Sequence, residues 1–419
     1  MVDERNSRTV SFPRFLAGEL YLHVKKTLFF VVLAFVSAIL LLHACTPAGP
    51  TEAVFPVVVR EGPSVRFLLE KVMPEAMADG MVKIALLVNG RDGSNTWQFI
   101  EAAVSEGRSM GFTVDAFAVD AETDRERFME LAAGIANADY DGLIFVNGDM
   151  GFTYDILRPI ADNGARIVTF EALPFRDGRS IPGLVATFQD DYSLARLSLE
   201  TLVSYVRHED DRPPRVVRLV SPPGITFLDR HDWEFNEFVR MGRILEAGRI
   251  ELHGLENPRI AAWEAVLAAL PYFPPGSVDA IWVPWNEFAI GAAEALSQAG
   301  RYDIRKFSTG ICNESLRHMQ RHRRIWLAST AVDHRLAGTV TMRILAAVLA
   351  GETLNDTFHF SPQLVRTSDL NRAVNVSNLP MMLPNWNDGG GLFDHYQWML
   401  DLKAAETRFL RISPAEVTR

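Results

Sequence analysis

From residue 82 to about residue 350 the chain repeats one pattern: a short apolar run, a polar turn, then an amphipathic stretch of helical spacing. That alternation leaves few folds open. Strands buried on both faces read as unbroken apolar runs, and a crossover helix returns the chain to lie parallel beside the last strand. Residues 82–111 show it most plainly. Val82-Lys83-Ile84-Ala85-Leu86-Leu87-Val88 is nearly continuous apolar sequence, and Asn89-Gly90-Arg91-Asp92-Gly93 is built of turn residues. Ser94 or Asn95 can then cap a helix on which Trp97, Ile100 and Val104 recur at helical spacing, and Gly111 ends it. Residues 112–119 read as the next strand. The loop of this unit opens at the carboxyl end of its strand, the edge where open α/β sheets hold ligands.

The same reading predicts strands at 141–147, 166–170, 184–188, 215–221, 249–252, 280–283, 307–311 and 326–330. Helices are expected at 125–137, 154–163, 192–207, 260–270, 289–299, 314–321 and 336–350, with a loop and helix across 227–247. A polar, proline-containing break at 208–214 divides the series and suggests two parallel sheets. Residues 371–419 are turn-rich and then helical from about 393 to 410, which reads as a structural cap. Residues 46–81 read as a linker and lead-in, with an edge strand at Phe55-Pro56-Val57-Val58-Val59.

The amino terminus has a different logic. Arg5, Arg8, Arg14, Lys25 and Lys26 precede an apolar run at 28–42, shorter than the roughly 20 residues a spanning helix prefers and near the length of a signal-peptide core. Leu42-His43-Ala44-Cys45 ends it and resembles a bacterial lipobox, which would make Cys45 the lipidated first residue of the mature chain. An uncleaved membrane anchor is the other reading. Both place the remainder outside the inner membrane, in the periplasm or cell envelope. The second of the two cysteines, Cys312, then has no partner within the chain.

Chemistry is constrained by what is missing. A formal net charge of −10 argues against a nucleic-acid backbone as partner, and the basic run 317–324 reads as a solvated helix face and turn. No phosphate-binding Gly-Lys-Ser/Thr loop, Gly-x-Gly-x-x-Gly or Gly-x-Ser-x-Gly is present, and the 10 histidines lack zinc-ligand spacing. No cofactor, metal or catalytic set is therefore expected. The strand ends instead carry Asn95, Trp97, Asp149, Glu171, Asp190, Arg230, His231, Asn286 and Asn313. Carboxylates, amides and an arginine give paired hydrogen bonds to vicinal hydroxyls, and an aromatic ring stacks on the apolar face of a sugar. Trp97 has the spacing of a core residue as well, and both readings stand.

These segments resemble a family, the type I periplasmic sugar-binding proteins of the ribose/galactose-binding group, over residues 82–365. Ser94-Asn95-Thr96-Trp97 is similar to its polar-aromatic turn. Ala165-Arg166-Ile167-Val168-Thr169-Phe170-Glu171 is similar to its strand ending in an acidic ligand residue. Gln189-Asp190-Asp191-Tyr192 resembles the segment near its first hinge crossing. Most specific is Val283-Pro284-Trp285-Asn286-Glu287-Phe288-Ala289-Ile290-Gly291-Ala292-Ala293-Glu294-Ala295-Leu296, which resembles its strand, Asn/Asp-rich loop and small-residue helix. Leu336-Ala337-Gly338 and Leu349-Ala350-Gly351-Glu352 resemble its last helix and the turn after it. The resemblance implies an α/β fold of two Rossmann-like lobes with parallel sheets, joined by a three-crossing hinge that closes on ligand. The first lobe would hold 82–189 plus about 332–358, the second 190–331 plus about 359–370. It also implies a protein without catalysis, a sugar or polyol in the cleft, and delivery to an ABC permease or signalling to a membrane kinase or chemoreceptor. The family's second-lobe arginine corresponds to Arg230 or is replaced by His231, and its acidic residue falls near Cys312-Asn313. A cleft enzyme acting on a sugar is the reading from another class.

Overall fold

A computed structural model describes residues 72–412 except 78–80, 91–93, 122, 149, 207–210, 224, 254–255 and 387–389. The leader, Cys45, the strand expected at 55–59 and Asp149 lie outside the described residues.

The βα rhythm folds into two six-stranded sheets. The first takes β1 (Lys83–Asn89), β2 (Thr113–Val119), β3 (Gly142–Val146), β4 (Arg166–Phe170) and β7 (Val185–Gln189), the hairpin β5 (Phe175–Arg176) and β6 (Arg179–Ser180) standing apart from it. Between these strands run α1 (Ser94–Ser109), α2 (Arg125–Ala136) and α3 (Met150–Asp162). The second sheet takes β8 (Arg215–Val220), β9 (Leu245–Glu251), β10 (Ala280–Val283), β11 (Arg305–Thr309) and β12 (Trp326–Ala331). Its helices include α4 (Asp191–Tyr205), α5 (Thr226–Arg240), α6 (Pro258–Ala269), α7 (Asn286–Gln298) and α8 (Asn313–Arg321). After α9 (His334–Leu349), β13 (Thr357–Phe360) joins the first sheet and β14 (Gln363–Arg366) the second, before α10 (Gln397–Ile412). The strand orders are β13-β7-β4-β3-β1-β2 and β14-β12-β11-β10-β8-β9. All pairings within the two large sheets are parallel except β12 with β14.

Each sheet is buried on both faces, as its apolar runs require. One face of the first packs Ile84, Leu86, Phe99 and Val340, the other Leu87, Phe128, Phe145 and Leu157. In the second sheet Trp282 and Trp326 are fully buried, and their indole nitrogens donate to Ser198 Oγ (3.1 Å) and Ser308 Oγ (3.0 Å). A buried tryptophan needs such an acceptor for its single donor. The family-like glycines have matching steric reasons. A Cβ on Gly338 of α9 would lie 2.3 Å from the Phe99 carbonyl oxygen in α1, and one on Gly291 of α7 would lie 2.1 Å from that of Arg259 in α6. Both helix pairs approach too closely for any side chain.

Three segments pass between the sheets, at residues 189–191, 331–334 and 360–363. Helices exchange accordingly: α4, which follows β7 of the first sheet, packs on β11 and β12, and α9, which follows β12 of the second, packs on α1, β3 and β4. This is the type I periplasmic-binding fold read from the sequence. Several elements differ from expectation. Helix α3 starts at Met150 rather than 154, and β9 starts at Leu245, inside the stretch read as loop and helix. Strands β13 and β14 were not anticipated at all. They are short, and β14 is antiparallel to its neighbour, so neither carries the apolar run or following helix that marks the others.

The carboxyl-terminal stretch is more than a cap. Val374, Val376, Leu379 and Trp386 join the core of the second sheet, whereas Phe393, Met399 and Leu402 join that of the first. The final helix begins at Gln397, because Phe393 and Tyr396 are held in the preceding turns. Within the basic run 317–324, Arg317, Arg321, Arg323 and Arg324 are exposed, but His318 and Met319 are buried.

Candidate functional site

The carboxyl ends of both sheets face one cavity of about 700 Å³. Its first wall carries Asn95, Phe99, Asn147, Phe170, Glu171 and Gln189, and its second Thr226, Phe227, Arg230, His231, Trp285 and Asn286. Asp191, Val332 and His334, beside two of the crossings, line its base. The local geometry follows from strand-end turns. Asn147 and Glu171, at the ends of β3 and β4, adopt left-handed φ values of 62° and 54°. Left-handed backbone is uncommon outside glycine and gathers at ligand sites. Two backbone bonds hold that turn: Asn147 N–H donates to Phe170 O (2.9 Å) and Glu171 N–H to Thr187 O (3.0 Å). Asn95, in the first turn of α1, donates from Nδ2 to Ile311 O of the other wall at 2.8 Å.

Charge in the cavity is nearly cancelled. Arg230 Nη1 donates to Asp191 Oδ2 at 3.0 Å. Burial pushes the Asp191 carboxyl up to about 6 even against the pull of Arg230. Burial, reinforced by the Asp191 charge, pushes Glu171 up to about 8, although the Gln189 N–H at 2.5 Å and Arg230 pull it down. Glu171 is therefore mainly protonated at neutral pH. Burial pulls His231 and His334 down to about 4, so both rings are neutral. Two buried atoms in this group have no hydrogen-bond partner, Asp191 Oδ1 and His231 Nε2, and they lie 3.9 Å apart. Neither side chain presents appreciable surface to the cavity, His231 being 3% and Asp191 0% exposed.

Asn95, Glu171, Arg230, His231 and Asn286 thus meet in the cavity. Trp97 lies away from it, packed against the first core and lining a separate cavity with Ile100, Val104 and Arg108. Asp190 caps α4 instead, accepting from Ser193 N–H (2.9 Å) and Ser193 Oγ (2.6 Å). Asn313 opens α8 and accepts from Val376 N–H at 2.9 Å, tying the carboxyl-terminal stretch to the second lobe. Cys312 caps that helix, its sulfur accepting from Ser315 N–H and Asn286 Nδ2, both at 3.4 Å. Sequence reasoning passed over Asn147, Gln189, Asp191, Phe227, Trp285 and His334. A signal for Asp191 was present: in Asp190-Asp191 the first residue is the natural N-cap, which frees the second to point elsewhere. Among the described residues no cluster suits a metal ion, and no helix is long and apolar enough to cross a membrane.

Comparison with known proteins fits this geometry. The family model described as a periplasmic binding protein domain matches residues 84–353, well over half of the chain. A sugar ABC transporter structure from Yersinia enterocolitica is 29% identical, with 80% of this chain and 98% of that one covered and a TM-score of 0.67. The 5-methylthioribose transporter solute-binding protein of Thermotoga lettingae, in complex with 5-methylthioribose, is 23% identical, with 79% and 99% covered and a TM-score of 0.65. An ABC transporter solute-binding protein of Agrobacterium vitis with bound allitol is 20% identical, with 72% and 99% covered and a TM-score of 0.57. A comparison with curated proteins gives no match. On the family match and the two-lobed fold together, the chain belongs to the periplasmic binding protein family.

Proposed function

We propose that this protein is an exported solute-binding protein that captures a sugar or related polyol between its lobes and hands it to an ABC permease. The observation that carries the reading is the cavity itself: polar groups from both walls converge there beside aromatic rings, and its ionised groups nearly cancel. A neutral, hydroxyl-rich ligand suits it better than an anion or a cation, because burying an uncompensated charge is expensive. Neighbours of this fold described as binding 5-methylthioribose, allitol and D-allose support the same ligand class. Asn95 and Glu171 would bind from the first wall, and Arg230, His231 and Asn286 from the second. Phe227 and Trp285 would flank the ring. Closure would exclude water and strengthen each hydrogen bond, and no covalent chemistry is needed. The lobes are assigned as 82–189 plus about 332–358, and 190–331 plus about 359–370, with Cys45 as the lipid anchor in the cell envelope.

Thermal-shift measurements on the full-length protein in mild detergent, against D-ribose, D-allose, D-glucose, allitol and 5-methylthioribose, test the ligand class. A ligand at about 100 times its dissociation constant stabilises by roughly 2.7 kcal/mol. A shift abolished by Glu171→Ala and by Asn286→Ala supports the cleft reading, and no shift with any probe sinks it. The second reading, a receptor that signals to a membrane kinase or chemoreceptor, is favoured by one observation: Val376, Leu379 and Trp386 pack on one lobe and Phe393, Met399 and Leu402 on the other, adding surface suited to a dedicated partner. Co-purification with permease subunits or with a sensor kinase separates the two.

A further inference from the structure

The crossings at 189–191, 331–334 and 360–363 are not the last connection between the lobes. After β14 the chain stays on the second lobe. Gln320 Nε2 donates to the carbonyl oxygens of Thr367 (3.2 Å) and Leu370 (2.9 Å), and Val376 N–H donates to Asn313 Oδ1 (2.9 Å). Val374, Leu379 and Trp386 are buried in the core of the second sheet. By Gly390 the chain is on the first lobe. Arg343 Nη1 of α9 donates to the carbonyl oxygens of Gly390 and Leu392 (2.7 Å each), and the ring centroids of Phe393 and Phe358 of β13 lie 6.0 Å apart. Met399 and Leu402 are buried in the core of the first sheet. The four peptide units from Trp386 to Gly390 extend to no more than about 14 Å, so these residues cannot part further while each end holds. Both ends are fixed by buried apolar side chains, and releasing either would return that surface to water.

Where this tether crosses decides what it does. Asn313 follows Ile311 by two residues, and the Ile311 carbonyl oxygen accepts from Asn95 across the two walls. The stretch thus leaves the second lobe on the flank where the walls already touch. On the first lobe it is gripped by Arg343, nine residues along α9 from His334 and so about 14 Å along that helix from the crossing at 331–334. A connection on the hinge line turns with the hinge, whereas one held away from it resists the parting of the lobes. We propose that the carboxyl-terminal stretch is a fourth connection that limits how far the lobes swing apart. The ligand-free protein then samples a narrower range of openings than three crossings alone would allow, whichever ligand the cavity takes. A larger share of its molecules is poised to close, and apparent affinity follows that share.

Electron–electron double resonance on the full-length protein in detergent, without ligand, reads the range directly. Nitroxide labels are placed at Glu130→Cys in α2 and Tyr272→Cys just after α6, both exposed positions, in a Cys45→Ser background, while the buried Cys312 is left in place. A flexible Gly-Ser insertion of about ten residues between Asn387 and Asp388 adds up to about 35 Å of slack and alters none of the anchoring residues. The distance distribution should broaden, with the midpoint of urea unfolding unchanged. A distribution of unaltered width overturns the proposal. So does broadening accompanied by a fall in the urea midpoint, which would make the stretch a packing element and not a tether. The same insertion between Asp177 and Gly178, in the turn of the β5–β6 hairpin, should leave the width unaltered, and equal broadening there also overturns the proposal.

Discussion

Two partly buried clusters of arginine and carboxylate in this protein have opposite characters. On α9, Arg343 donates from Nε to Glu106 (2.5 Å) and from Nη1 to the carbonyl oxygens of Gly390 and Leu392 (2.7 Å each), with Asp394 Oδ1 at 3.3 Å. Lys403 Nζ reaches the same Glu106 oxygen at 2.5 Å. Its charges are multiply partnered, and they lock the carboxyl-terminal stretch to the first lobe. In the cavity, Arg230 holds Asp191 through one oxygen, and the other oxygen faces a bare imidazole nitrogen. The first arrangement is a fastening, and the second lies in the cavity proposed to hold the ligand. Saturated hydrogen bonding marks structure, whereas a buried shortfall calls for a further partner.

The largest effect expected from this contrast is on the fastening. Arg343→Ala should destabilise the protein by about 3 kcal/mol, since breaking a buried charge network leaves its partners unpaired. Urea denaturation measures it, and a loss below about 0.5 kcal/mol would mean that the cluster is as poorly coupled as a surface pair. The second prediction turns to the site. Glu171→Ala should weaken sugar binding by roughly 10- to 100-fold while changing unfolding in urea little, and a large loss of stability with unaltered affinity would erase the distinction between the two clusters.

Third comes pH. The folded-state pKa of Glu171, about 8, lies above the ordinary 4.5, so the folded protein holds more protons than the unfolded chain between those values. Stability from this group is full at low pH and declines as pH rises towards 8. Asp191, raised to about 6, acts in the same sense over a lower range. His231 and His334, lowered to about 4, act oppositely, and their contribution is lost as pH falls from 6.5 to 4. Above pH 6.5 these histidines are neutral in both states and Glu171 dominates among the cavity groups. The ligand-free protein should therefore lose about 2 kcal/mol between pH 6.5 and 8, and Glu171→Gln should flatten that slope. An identical slope in the variant would place the titrating group elsewhere. The smallest effect is expected at Asn95, whose Nδ2 bonds the Ile311 carbonyl oxygen across the cavity. Asn95→Ala should favour the open form by about 1 kcal/mol. Small-angle X-ray scattering without ligand would show a larger radius of gyration, and an unchanged radius would assign the bond no part in closure.

The fold was legible because burial on both faces forces long apolar runs, and β1 from Ile84 to Val88 and β3 carry them without interruption. Gly338 and Gly291 were legible as motif residues too, although their reason is the helix approach that the folded structure reveals. The short strands β13 and β14 were not, since their pairing depends on where the chain crosses between sheets. Within the site, Asn95, Glu171, Arg230, His231 and Asn286 were read from their positions at strand and helix ends and meet in one cavity. Trp97, Asp190 and Asn313 had equally good sequence grounds, yet one packs on the core, one caps a helix and one holds the carboxyl-terminal stretch. Strand ends can be placed by pattern, but the direction of a side chain one residue either side of a helix start depends on the turn that precedes it. Periodicity, through burial, determined the layers and the edge where a ligand would sit. Only the tertiary structure decided that Asp191 and His231, 40 residues apart in sequence, face each other without a partner, because that requires two sheets to meet.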